Sequence, residues 1–110
     1  MIDAVQRTVF NAVADPTRRA IIDMLTGGEM TAGDVADAFP VSRPAIARHL
    51  KVLQQTGIVI VRQEGRERVN SLNAAALRPI ADWVRRYEAF WDERLEKLKN
   101  AVEDHAEEIT

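Results

Sequence analysis

The sequence predicts a mostly α-helical fold in the order α-α-α-α-β-β-α, with a two-stranded β hairpin before the last helix. Apolar residues recur every three or four positions over most of the chain, and the β-branched run 58–61 lies just before Gly65, a turn residue. With 110 residues, of which 46% are apolar and 29% charged, the chain suits one small core. We therefore expect a single domain over residues 1–103 and a disordered acidic tail at 104–110.

Start signals divide the first part of the chain into three helices. The first is expected at about residues 2–13 from its apolar spacing. Asp15 can cap a second helix, because its carboxylate accepts from free amides and Pro16 fits the first helical position. Thr31, followed by Asp34, predicts the cap of a short third helix.

A fourth helix begins after Ser42. Because Pro44 has no N–H, we expect the Ser42 hydroxyl to accept from the amide of Ala45. The inward face is apolar and consists of Ile46, Leu50 and Leu53. The outward face carries small and cationic side chains, namely Arg43, Pro44, Ala47, Arg48 and Lys51.

The third and fourth helices are joined by a tight turn around Pro40, which predicts a helix-turn-helix whose second helix fits a DNA major groove. The alternative is a plain helical hairpin inside a core, but a core helix would not expose three cations on one side. His49 could in principle serve as a base or a metal ligand. Its place between Ile46 and Leu53 favours a half-buried histidine that packs or binds phosphate.

Charge is concentrated in the middle of the chain, although the net charge is only −2. Residues 41–72 carry six Lys and Arg against two Asp and Glu, whereas residues 1–40 carry three against six. A cationic band of this kind suits a polyanion.

A β hairpin follows, with Gly65 at its turn and Arg62, Arg66 and Arg68 near its tip. Arginines on a projecting loop can enter a minor groove or bind phosphate, as in a wing. Alternatively, Arg62 and Arg68 pair with Glu64 and Glu67 across the hairpin.

These residues predict a division of labour on DNA. We expect base edges to be contacted by Arg43, Pro44, Ala47 and Arg48, and Ser42 at the start of the same helix to belong to the DNA-binding surface as well. Phosphates are expected to be neutralised by His49, Lys51, Arg62, Arg66 and Arg68.

The last helix is expected from a cap at Asn73 to about residue 103, which is long for one small domain. Its apolar stripe and that of the first helix exceed what such a domain can bury, so we expect both to pack across a two-fold axis in a homodimer. The expected dimer contacts are Ile2, Val5, Val9, Val84, Tyr87, Trp91, Leu95 and Leu98. The two outward-facing helices would then meet half-sites of a palindrome about 34 to 36 Å apart.

Other classes of protein fit poorly. The chain has no cysteine, which excludes disulfides and thiolate metal sites, and no apolar run approaches the ~20 residues of a membrane span. No Ser, His and Asp set or phosphate-binding glycine motif predicts an enzyme. We expect a cytoplasmic protein without metal or cofactor.

Over about residues 8–100 the chain resembles the metal-independent branch of the ArsR-type winged-helix repressors. Three segments carry the resemblance: Val13 to Arg19, Val41 to Leu53, and Glu64-Gly65-Arg66. Aromatic and basic residues of the last helix add to it, namely Trp83, Tyr87, Phe90, Trp91 and Arg94. The resemblance implies a homodimeric repressor that binds an inverted repeat at a promoter, often its own.

The chain departs from the metal-sensing relatives of that family. Those that sense arsenic or cadmium use cysteines, and those that sense zinc use paired Asp and His ligands on the last helix. Here only His105 lies near that end. The resemblance therefore implies no metal site and names no inducer. A winged-helix module that binds another protein instead of DNA is the alternative function.

Overall fold

The computed structural model describes the backbone of residues 4–109 and the side chains of residues 8–107, so Ile2 and the side chain of Val5 lie outside it. The helices are α1 Ala4–Val13, α2 Pro16–Leu25, α3 Ala32–Asp37, α4 Arg43–Gln55, α5 Arg78–Arg85 and α6 Glu88–Ile109, with a 3-10 segment at Ala74–Leu77. The strands are β1 Met30–Thr31, β2 Val59–Glu64 and β3 Glu67–Leu72. The chain divides into two compact units, Met1–Ile80 and Ala81–Thr110.

The expected caps of α2, α3 and α4 are confirmed. The Asp15 carboxylate accepts from Arg18 N–H at 3.0 Å, and the Thr31 hydroxyl accepts from Asp34 N–H at 3.1 Å. The Ser42 hydroxyl accepts from Ala45 N–H at 3.2 Å, as the missing N–H of Pro44 predicts. These side chains determine where α2, α3 and α4 begin.

The core of the first unit lies between α1 to α4 and one face of the sheet. Its most completely buried apolar side chains come from α1, α2, α3, α4 and β2. They include Val9, Ile21, Val35, Ile46, Leu53 and Val59. Val9 is only 1% exposed, so it packs within its own chain and cannot serve as the dimer contact that we expected. The assignment of Val9 to the dimer interface was wrong because the spacing of apolar residues does not distinguish a face buried in the core from a face buried in an interface.

The sheet has three antiparallel strands in the order β1-β3-β2, one more than predicted. Met30 pairs with Asn70 and Thr31 with Val69, which adds a two-residue strand at the edge of β3. A strand this short has no detectable periodicity, which is why sequence reasoning missed it.

The long helix expected from Asn73 is interrupted. Asn73 makes no cap hydrogen bond; its side chain donates to Gly57 O at 3.0 Å and its N–H donates to Ile58 O at 2.8 Å, so it joins the end of the sheet. A tight turn at Arg86 and Tyr87 then separates α5 from α6. The turn could not be predicted from the spacing of apolar residues, because that spacing continues through it without a break.

Helix α6 continues to Ile109, beyond the expected end at about 103 and through most of the segment expected to be disordered. The chain has neither Gly nor Pro after Pro79, and residues 101–109 are rich in Ala and Glu, which are strong helix formers. Helix propensity therefore outweighs the acidic composition of this segment.

Candidate nucleic-acid interface

Helix α4 separates an apolar face from a cationic one. Ile46, Leu50 and Leu53 are at most 3% exposed and belong to the core, as predicted. The predicted outward residues Arg43, Pro44, Ala47, Arg48 and Lys51 are all exposed, as is the cap Ser42. Within the described part of the chain, Arg48 and Lys51 form no ion pair. Their positive charge is therefore available to an external anion.

Arg43 differs from its neighbours because it already has a partner. Its Nη2 donates to the Asp37 carboxylate at 2.7 Å, across the turn that joins α3 and α4. Both side chains are about two-thirds exposed, at 70% and 66%, so solvent weakens this pair and an approaching phosphate or base could replace Asp37.

The wing is formed by β2 and β3, with Gly65 at the turn in a left-handed conformation (φ 62°) that favours glycine. Arg66 and Arg68 are exposed near the tip, and neither forms an ion pair with any described residue. Arg68 faces Gln63 in the strand register, so the cross-hairpin pair with a glutamate that we weighed for it is absent among these residues. Both cations are open to phosphate.

Arg62 is held by two carboxylates. Its Nη1 lies 2.7 Å from Glu29 and its Nη2 donates to Glu64 at 2.8 Å. Hydrogen bonds to Glu29 and Glu64 raise the pKa of Arg62 above its usual value. Arg62 does pair with Glu64, as the alternative proposed, but the two lie on the same strand and not across the hairpin. The pair with Glu29 ties the wing to the loop before β1.

His49 lies half-buried beside the start of α2, with its side chain 24% exposed. Its Nδ1 is 3.4 Å from Arg18 Nη1 and 3.8 Å from the Asp15 carboxylate. When the ring is neutral with its proton on Nε2, Nδ1 can accept from the Arg18 guanidinium, which can only donate. The predicted half-buried histidine is thus one member of a three-residue cluster.

Asp15 is the acidic member of that cluster. The Arg18 backbone N–H lowers the pKa of the Asp15 carboxyl and desolvation opposes that effect, while the charge of the His49 ring in its protonated form and the charge of Arg18 lower it further. The carboxylate therefore stays ionised while it caps α2.

Arg18 and Arg19 were not among the predicted site residues. Arg18 Nε donates to Ala12 O at 2.6 Å and its Nη2 to Asn11 O at 3.0 Å, while Arg19 Nη1 donates to Val13 O at 2.8 Å. The sequence did indicate this role, because the last carbonyls of a helix need hydrogen-bond donors and α1 has no basic residue of its own in its last turn. Two arginines one turn into the next helix supply them.

The second unit exposes a continuous apolar face on α5 and α6. Of the predicted dimer contacts, Tyr87, Trp91, Leu95 and Leu98 are 43%, 46%, 62% and 61% exposed, and Val84 is half-buried. Sequence reasoning left out three further exposed apolar residues of this unit, namely Trp83, Phe90 and Val102. Tyr87 packs edge-on against Trp83 at 5.7 Å and stacks on Trp91 at 6.3 Å between ring centroids.

Residues 4–109 contain neither a membrane-spanning helix nor a metal-binding cluster of side chains. None of the helices there has the length and apolar character to cross a membrane. No cluster of three or more His, Asp or Glu side chains in the same residues is arranged to hold a metal ion.

Comparison with known proteins places this geometry in a family. A sequence profile described as a helix-turn-helix domain matches residues 13–62. The transcriptional repressor SdpR of Bacillus subtilis is 43% identical over 76 residues, which cover 69% of this chain and 84% of SdpR.

Solved structures give the same result. An ArsR-like transcriptional regulator from Rhodococcus sp. RHA1 is 38% identical, has a TM-score of 0.67, and is matched over 88% of this chain and 92% of its own. A possible ArsR-family regulator of Mycobacterium bovis, described as a homodimeric winged helix-turn-helix DNA-binding domain, shares the fold with a TM-score of 0.62 and 24% identity. This match covers 74% of the present chain and 79% of the Mycobacterium bovis chain. The chain belongs to the ArsR family of winged helix-turn-helix transcriptional repressors.

Proposed function

We propose that the chain represses transcription by binding, as a homodimer, to an inverted-repeat operator in double-stranded DNA. One observation carries the proposal: α4 buries one face in the core and presents Arg48 and Lys51, without ion-pair partners among the described residues, on the other. Pro44 and Ala47 lie beside them and leave room for a close approach to base edges. Such a helix fits the major groove with its amino-terminal half toward the bases.

The side chains divide between bases and backbone. We assign recognition of a guanine to Arg48, and Arg43 would join it once Asp37 is displaced. Phosphate contacts fall to His49, Lys51, Arg66 and Arg68. For Arg62, the ion pairs with Glu29 and Glu64 favour a supporting role that orients the wing, in place of the direct phosphate contact that the sequence suggested.

The exposed apolar face of the second unit supports self-association. Tyr87, Trp91, Leu95, Leu98 and Val102 follow each other at intervals of three or four residues, so they form one stripe that starts in the turn before α6 and continues along that helix. A stripe with two large aromatic rings is unusual on a solvated helix and typical of an interface. The Mycobacterium bovis relative is a homodimer, and a two-fold axis would place two copies of α4 on successive major-groove turns.

The proposed function also implies where the protein acts in the cell and that it is not an enzyme. A repressor acts at the chromosome, so we propose that the chain works in the cytoplasm. We also propose that it has no enzymatic activity and that binding alone blocks transcription.

Selection of bound fragments from random-sequence duplexes, followed by gel-shift titration, tests the proposed function. We expect enrichment of an inverted repeat with half-sites one helical turn apart, bound more tightly than random DNA by about 10³-fold or more. Binding should also weaken with salt, with a slope of roughly −0.9 in log affinity per phosphate contacted. Failure to enrich any sequence, together with no shift of random DNA, would overturn the proposal and favour a winged-helix module that binds protein.

A further inference from the structure

The Arg18 guanidinium joins three helices of the first unit. From α2 it donates through Nε and Nη2 to Ala12 O and Asn11 O at the end of α1, at 2.6 and 3.0 Å. Its third nitrogen, Nη1, lies 3.4 Å from Nδ1 of His49 on α4. All three nitrogens of one planar group are thus used on two different helices.

This geometry depends on the shape of arginine. The guanidinium holds its donors in a rigid plane, so two bonds to the carbonyls of α1 fix the direction in which the third donor points. A lysine ammonium is a single point at the end of a flexible chain and cannot bridge both elements in the same way. Substitution by lysine therefore keeps the charge and removes the bridge.

His49 transmits the constraint to the DNA-binding face. It follows Arg48 directly on α4, and both belong to the helix that is proposed to enter the major groove. A small rotation or shift of α4 moves the Arg48 guanidinium relative to a base edge, and direct readout tolerates little misplacement of a bidentate donor. Contacts with phosphate, which attract charge over a longer range, are less sensitive to such a shift.

We propose that Arg18 is a positioning residue for base recognition: through His49 it fixes α4 to the end of α1, and so sets the orientation in which Arg48 meets the DNA. The inference rests on the proposed function, because it names the residue that orients the same interface. Arg18 itself contacts no base.

The neighbouring Arg19 provides a matched control. It also lies in the first turns of α2 and also donates to carbonyls after α1, from Nη1 to Val13 O at 2.8 Å and to Ala14 O at 3.3 Å. It makes no hydrogen bond to α4 among the described residues. Arg18→Lys and Arg19→Lys thus make the same chemical change and differ in the contact with His49.

The experiment measures the affinity of each variant for the duplex selected by the wild-type chain and for a random duplex of equal length. We expect Arg18→Lys to reduce the ratio of the two affinities by about 2- to 30-fold, and random-DNA affinity to stay within about twofold because the charge is kept. Arg19→Lys should leave the ratio unchanged. Equal ratios for the two variants would overturn the inference, as would equal losses on both duplexes.

A double-mutant cycle tests whether His49 is the link. In the His49→Ala background, Arg18→Lys should cause no further loss of the affinity ratio, because the acceptor on α4 is already absent. Losses that add independently would show that Arg18 acts by another route and would overturn the inference. Unfolding curves for all variants establish that each is folded at the assay temperature.

A readout without DNA separates this inference from the proposed function. Amide hydrogen exchange over residues 43–55 should be faster in Arg18→Lys than in wild type, and unchanged in Arg19→Lys. If the wild-type chain selects no DNA sequence, the proposed function fails while this measurement still decides whether Arg18 anchors α4. Unchanged exchange in Arg18→Lys would contradict that anchoring.

Discussion

The Asp37 carboxylate accepts a hydrogen bond from Arg43 Nη2 at 2.7 Å, so an acidic residue on α3 neutralises the first cation of α4. The two residues lie on either side of the turn in the helix-turn-helix. Until DNA displaces Asp37, α4 carries one fewer free positive charge than its sequence suggests. The contacts of the first unit lead to predictions about DNA binding and stability. The exposed apolar stripe of the second unit leads to a prediction about self-association.

Removal of the Asp37 charge should strengthen DNA binding. In Asp37→Asn, Arg43 no longer has to leave an ion pair, and we expect affinity to rise by about 2- to 5-fold at low salt. Asp23→Asn on α2 loses the same charge from an exposed position and is the control for net charge. Gel-shift titrations of the two variants should differ; equal gains would mean that only net charge matters.

Arg48 and Lys51 should differ in the kind of binding they support. Arg48→Ala is expected to cost about 1 to 3 kcal/mol on the selected operator and to relax sequence preference at one position. Lys51→Ala should weaken all duplexes alike and reduce the salt slope by about 1. Titrations on operator and random DNA at several salt concentrations check both, and the same pattern in the two variants would refute the distinction.

Leu95 should be needed for self-association. Leu95→Glu places a carboxylate in the exposed apolar stripe of α6, where Leu95 is 62% exposed in the single chain. We expect sedimentation to give the mass of two chains for wild type and of one chain for this variant. Asn100→Glu, on the opposite side of the same helix, introduces the same charge and should keep the wild-type mass. Identical masses for all three proteins would contradict the proposed interface.

Asp15 should make stability depend on pH in the acid range. The pKa of its carboxyl is below the ordinary value of 3.8 in the folded chain, so its contribution is present above that value and is lost as the pH falls through the folded pKa. The free energy of unfolding of wild type should therefore exceed that of Asp15→Asn at pH 7, and the difference should shrink below about pH 4.

A second substitution separates the charge of Asp15 from its role as a cap. Asp15→Asn keeps an oxygen that can accept from Arg18 N–H, whereas Asp15→Ala does not. We expect the alanine variant to be the less stable of the two at every pH. A difference between wild type and Asp15→Asn that does not change with pH would exclude the ionised carboxylate as the cause.

Sequence patterns predicted what depends on neighbouring residues. Ser42 caps α4 and Gly65 turns the hairpin because each role is local and is governed by the chemistry of a few adjacent positions. The burial of Ile46, Leu50 and Leu53 follows from helical period in the same way. The cationic residues of α4 occupy the helical positions between these buried ones and are therefore exposed.

Contacts between distant positions could not be predicted. Arg62 reaches Glu29 across 33 positions of the chain, and His49 meets Arg18 across 31, separations over which sequence spacing carries no information. Val9 was assigned to the dimer interface because an apolar face indicates burial without indicating what buries it. Sequence therefore identified which cationic side chains of α4 and the wing are exposed, but not that Asp37 pairs with Arg43 or Glu29 with Arg62.

The edge strand β1 has a mechanical consequence. Met30 and Thr31 pair with β3 on one side, and Thr31 caps α3 on the other, so the base of the hairpin and the start of the helix-turn-helix share two adjacent residues. Bending the hairpin away from DNA would have to break this pairing or pull on α3. The distance between α4 and the β2–β3 hairpin is therefore restrained, and with it the length of DNA that the first unit can contact.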